Sequence, residues 1–112
     1  MKNREINILG TQYKVLFEEF GDSMECDGYC DVTVHEIRIR KNNTNKVGCM
    51  DELMRRALRH EIIHAFMFES GLGFDWRHPE EFGHDETTVD WFATQSPKIY
   101  KVYMELGILW EK

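Results

Sequence analysis

The sequence predicts an α+β domain: a small, mostly antiparallel sheet from about the first forty residues, then a central helix, a second helix and a C-terminal helix. Three observations point there. Apolar and polar residues alternate only in the N-terminal part of the chain, apolar residues recur at three- and four-residue steps from Met50 onward, and a length of 112 residues suits a single domain with one core.

The elements follow in order. "EINILGTQYKVLFEEF" alternates on both sides of Gly10, as two strands joined by a short turn do. In "CDVTVHEIRIRK", Val32, Val34, Ile37 and Ile39 carry strand character, and the alternation slips near His35 and Glu36, which predicts a bulge or tight turn. From Glu36 to Lys41 the isoleucines face inward and Arg38 and Arg40 outward, a pattern common on edge strands. "KNNTNKVG" has no apolar period and reads as a polar loop.

Met50, Leu53, Met54, Ala57, Leu58, Ile62 and Ala65 then share helical spacing. Asp51 and Glu52 sit in the first turn, where they suit the helix dipole and can pair with Arg55 and Arg56, and Gly71 or Gly73 terminates the element. Its second half, "IIHAFMF", is apolar all round, so the helix is expected to run through the centre of the domain. Farther on, Glu86, Val89, Asp90 and Ala93 fall at helical spacing after a capping His84 or Asp85, and Pro97 is expected to break the chain before the last helix.

Composition narrows the function. Hydrophobic residues make up 42% and aromatics 12%, enough to bury a core. Twenty acidic residues against 14 basic ones give a net charge of -6, which argues against a broad nucleic-acid surface. "MKNREINILGTQYKV" lacks the apolar run of a signal peptide and no stretch reaches membrane-spanning length, so a soluble cytoplasmic protein without a membrane partner is expected. Cys26, Cys30 and Cys49 are too few and too odd for a disulfide framework and read as reduced, packed thiols.

The chemistry concentrates in "HEIIH", residues 60 to 64. On a helix, His60 and His64 lie one turn apart on one face and can meet a single ion; zinc, at about 2.0 to 2.1 Å from each nitrogen, suits the spacing. Glu61, next along, can reach a water held by that ion. Two histidines and a carboxylate buried in an apolar helix without such a purpose would be costly. A third ligand must come from downstream, and Glu86, His84, His78, Asp85 and Asp90 are the candidates by residue type. Glu86 and Asp90 share a helix face, so one helix can deliver both a ligand and an acid that holds a histidine's far nitrogen.

"HEIIH" followed by "ETTVD" resembles the gluzincin arrangement of zinc metallopeptidases, in which a Glu-x-x-x-Asp helix supplies the third ligand and its supporting acid. "ETTVDWFA" is similar to the ligand helix of the ImmA/IrrE-like peptidases, and "DGYCDVTVHEIRIR" looks like the hairpin and edge strand that precede the active helix in small members of that group, the minigluzincins among them. The likeness covers roughly residues 27 to 95; the chain departs from the pattern at Ile62 and Ile63, where Leu-Gly is usual, and at "TQSPKI", which replaces "LLMP". The resemblance implies a zincin-like fold with Zn2+ held by His60, His64 and Glu86, Glu61 as general base and Asp90 as the partner of a ligand histidine. It also implies a peptide or protein substrate, such as a repressor, bound along an exposed sheet edge in the cytoplasm of a bacterium or its phage. Tyr100, Tyr103, His78 or His84 could stabilise an oxyanion, but nothing in the spacing selects one, and tyrosines at a three-residue step are more often helix packing. A zinc-stabilised regulatory module that cleaves nothing would have the same site, and a structural protein without metal is the third possibility.

Overall fold

In a computed structural model the described residues are 1–43, 46–71 and 86–109, excepting the side chains of 86–90 and 93. They form β1 (Arg4–Ile8), β2 (Thr11–Glu18), β3 (Gly28–Asp31), β4 (Glu36–Arg40), α1 (Met50–Glu69) and α2 (Glu86–Leu106). The α+β expectation holds.

β1 and β2 are the predicted hairpin, paired from Arg4↔Val15 to Ile8↔Thr11. Leu9 and Gly10 both have positive φ, 51° and 96°, the combination a tight two-residue hairpin turn requires. The Asn7 side chain accepts the Gly10 N–H at 2.9 Å. β3 and β4 form a second antiparallel pair, and the predicted tight turn between them brings His35 to φ 58°. The sheet order is β1-β2-β4-β3, with β2 and β4 parallel, so the sheet is mixed although two of its three ladders are antiparallel.

That order corrects the reading of Glu36–Arg40 as an edge. β4 is internal, paired with β2 on one side and β3 on the other, and the free edge on this side of the sheet is β3. The arginines there are engaged rather than guarding an edge. Arg38 meets Glu18 at 2.7 Å and Glu36 at 2.8 Å. Arg40 is buried: its guanidinium donates to the carbonyls of Cys26 (3.1 Å) and Met24, and its cation lies over the Phe20 ring. Arg40 therefore pins the 19–27 connection that leads into β3.

One sheet face packs on α1. Ile6, Ile8, Tyr13, Val15, Ile37 and Ile39 meet Met54, Leu58, Ile62, Ala65 and Phe66, and all of these lie within the core. Tyr13 is fully buried and donates to a Glu69 oxygen at 2.7 Å, while Thr11 donates to the other at 2.8 Å, tying β2 to the end of α1. Gly71, at φ 98°, supplies the left-handed residue that closes the helix; Gly73 lies outside the described residues.

α2 corrects a second expectation. It is one helix of 21 residues with Pro97 inside it, in place of a break and a separate C-terminal helix. A proline there costs an i→i−4 hydrogen bond. Pro97 is on the exposed face, where the orphaned carbonyl can be hydrated, and Trp91, Ile99 and Val102 bury the opposite face in the core, so packing outweighs the lost bond. No helix among the described residues is long and apolar enough to cross a membrane.

Candidate metal centre

α1 has three different sides. Met54, Leu58, Ile62 and Ala65 face the sheet. Toward α2, the Ser70 hydroxyl accepts from Trp91 Nε1 at 2.6 Å and the Arg59 carbonyl accepts from the Tyr103 hydroxyl at 3.1 Å. The remaining side carries His60 and His64, both exposed. The helix is thus not central on every side, and of the three polar residues only Glu61 is buried, at 7% exposure. Two packed layers cover only part of a helix's circumference, which leaves the histidine stripe open.

His60 and His64 approach each other closely, with Nε2 to Nε2 at 3.1 Å and ring centroids 4.8 Å apart. Two nitrogens bound to one tetrahedral zinc at about 2.05 Å stand roughly 3.3 Å apart. The separation matches that of a shared ion, and matches equally an Nε2–H···Nε2 hydrogen bond between the two rings. An i,i+4 spacing permits this but does not force it, because each ring has several staggered rotamers.

Glu61 lies between α1 and β3. A Cβ added at Gly28 would stand 3.6 Å from the Glu61 Cγ, an ordinary contact that places β3 against the Glu61 stem; the close approach that calls for glycine is to Arg38 and Ile39 of β4, both at 2.9 Å. Among the described residues the Glu61 carboxylate takes part in no hydrogen bond, and burial raises its pKa above the usual carboxylate range, partly countered by His60 and His64. The Glu61 oxygens are not sealed from solvent, since Gln95 Oε1 is the buried side-chain oxygen left without a partner among the described residues; Glu61 opens onto a cleft, where a carboxylate with a raised pKa is a candidate functional group. Cys30, on the same strand, has its thiol pushed up to about 12 by burial first and then by Glu61 and nearby acids. The three cysteines form no disulfide with one another.

Along α1, a cleft of about 290 Å³ opens between Cys26, Asp27 and Gly28 on the sheet side and Leu53, Arg56, Ala57, His60 and Glu61 on the helix side. The sequence marks Arg56 only as a partner for the first-turn acids and does not mark Gly28 as a site residue. A glycine inside strand-like "CDGYC" was the available signal for a close backbone approach.

The proposed ligands divide as follows. His60 and His64 are brought together; His78, His84 and Asp85 lie outside the described residues. Glu86 opens α2 and Asp90 follows one turn later, but their side chains also lie outside the description. The contacts of Trp91 with Ser70 and of Tyr103 with Arg59 make the helices antiparallel, so Glu86 stands at the Ser70 end of α1. At ~1.5 Å per residue this is roughly 16 Å along the pair from His64, and Glu86 joins the histidines only if the start of α2 draws toward them. Among the described residues no three His, Cys, Asp or Glu side chains cluster closely enough to hold an ion. Of the tyrosines considered for an oxyanion, Tyr103 is committed to the Arg59 carbonyl and Tyr100 is exposed.

Compared with models of known protein families, with curated proteins and with solved structures, the chain matches none.

Proposed function

We propose that this chain is a zinc-dependent metallopeptidase acting on peptide or protein substrates in the cytoplasm. The observation that carries the reading is the 3.1 Å approach of two imidazole nitrogens next to the largely buried Glu61, with His60 and Glu61 lining a cleft. His60 and His64 would hold the ion, with Glu86 as the third ligand and Asp90 as the acid that supports a ligand histidine, as the resemblance to gluzincins implies. Bound zinc supplies a lowered water pKa, toward about 7, and polarisation of the scissile carbonyl. Glu61 accepts the water proton on its carboxylate and passes it to the leaving amine. β3 is the free edge beside the cleft, and an extended substrate pairs its backbone with that strand. A repressor or other regulatory protein is the substrate class the ImmA/IrrE likeness suggests.

The test is metal content by elemental mass spectrometry on tag-free protein, with zinc titration, for wild type, His60→Ala, His64→Ala and Glu86→Ala. Near-stoichiometric zinc in the wild type and its loss in all three variants is the expected result. Zinc kept by Glu86→Ala moves the third ligand, with His84→Ala the next variant; no zinc uptake by the wild type overturns the proposal. Glu61→Gln then separates catalysis from a purely structural zinc, because it should keep the metal and lose hydrolysis of a quenched peptide substrate. Biological activity unaffected by Glu61→Gln would favour the regulatory module.

A further inference from the structure

Arg56 stands out once the other cations of the site's surroundings are assigned. Arg38 is held by Glu18 and Glu36, Arg55 by Glu52, and Arg59 by Glu52 and the carbonyls of Ile108 and Leu109. The Glu52–Arg56 pairing that their spacing suggests is not formed, because Glu52 turns to Arg55 and Arg59 instead. Arg56 is exposed and has no ion pair or side-chain hydrogen bond among the described residues. It lies one helical turn before His60 and lines the same cleft.

The walls of that cleft differ in chemistry. The helix side presents Arg56, the apolar Leu53 and Ala57, and His60 and Glu61, and the sheet side carries Asp27. A guanidinium is charged at any working pH and offers a planar fork that matches a carboxylate. Asp27 and Glu61 both disfavour an anion, so Arg56 is the permanently charged cation of the lining that can hold one. A cleft of about 290 Å³ has the volume of roughly ten waters, room for one side chain with an aliphatic stem.

We infer that Arg56 is a specificity-determining residue that seats a carboxylate of the substrate in the cleft beside His60 and Glu61, so that the preferred substrates are peptides acidic next to the bond presented to the site. That a bond is cleaved there rests on the proposed peptidase reading; the binding preference stands without it. Arg38 and Arg40 lie too fully engaged to take this part. The carboxylate comes from a glutamate side chain or from a chain terminus, and the chemistry is the same for both.

Calorimetric titration of zinc-saturated protein with three peptides tests this: an acetylated, amidated hexapeptide with one central glutamate, its glutamine isostere, and the glutamine peptide with a free C-terminal carboxylate. Wild type should bind a carboxylate-bearing peptide about ten-fold more tightly than the blocked glutamine peptide. The advantage should shrink with salt and fall to near unity in Arg56→Gln, while Arg56→Lys keeps part of it. Preference for the first or the third peptide identifies the source. Equal affinities, no binding of either carboxylate peptide, or a preference unchanged in Arg56→Gln overturns the inference. Arg56 is exposed, so an unchanged melting curve confirms that the variant is folded. Mass spectra of the recovered peptides separate the two proposals: selective binding of peptides that remain intact would count against hydrolysis and not against Arg56.

Discussion

Replacing Gly28 by alanine should destabilise the protein by about 0.5 to 2.5 kcal/mol. The added Cβ would stand 2.9 Å from the Arg38 carbonyl oxygen and 2.9 Å from the Ile39 Cδ1, against ordinary carbon contacts of about 3.5 to 4.0 Å. The carbonyl belongs to β4, which β2 and β3 hold on both sides, so it cannot retreat. Ile39 is fully buried, and moving its terminal methyl disturbs a filled core. Overpacking of this kind costs about 1 to 3 kcal/mol. Gly28 does not have positive φ, so alanine also restricts the unfolded chain and returns roughly 0.5 kcal/mol; the difference is the net loss. At this chain length it lowers Tm by about 2 to 15 °C. Thermal and urea denaturation followed by circular dichroism measures it, with Gly48→Ala as the reference, because nothing lies within 4 Å of a Cβ there. Gly48→Ala should be neutral or slightly stabilising. If Gly28→Ala behaves the same way, the close approach of β3 to β4 is wrong, and with it the geometry of the cleft.

Pro97→Ala should stabilise the protein by about 1 to 3 kcal/mol, since it restores a backbone donor at an exposed position within a continuous helix; a Tm that does not rise would support a chain break at Pro97 instead. Tyr13→Phe should cost about 1 to 2 kcal/mol in urea denaturation through loss of its 2.7 Å bond to Glu69, and combining it with Glu69→Gln should cost less than the sum of the two single changes. Cys30 should alkylate far more slowly than the exposed Cys26 and Cys49 at pH 8 to 9, read by peptide mass spectrometry, because burial pushes its thiol up to about 12. The same shift has a sign for stability: the contribution is complete below the free-thiol value of about 8.5 and declines as pH rises through about 12, where the unfolded chain has already given up its proton. Cys30→Ala should therefore flatten the alkaline limb of a stability–pH curve.

Much of this fold and the centre of its site are legible from local pattern. Alternation around Gly10 identifies the first hairpin, because a strand's two faces meet different surroundings and the residues record which is which. Helical spacing from Met50 and the left-handed Gly71 locate α1, and the four-residue step between His60 and His64 puts both rings on one face whatever packs around them. These features depend on the chain within a turn or two. Tertiary structure alone decided the rest. "EIRIR" reads the same on an edge or inside a sheet, since alternation reports the two faces of a strand and says nothing about its neighbours; the parallel pairing with β2 made β4 internal and left β3 as the edge. Pro97 survives within α2 because of what Trp91, Ile99 and Val102 bury, an energy invisible in the local propensity of "TQSPKI". Arg40 and Arg56 have the same chemistry in the sequence, yet one is folded under a loop and the other left free beside His60. Which charge is used up and which remains available depends on partners far along the chain, and only their meeting in space determines it.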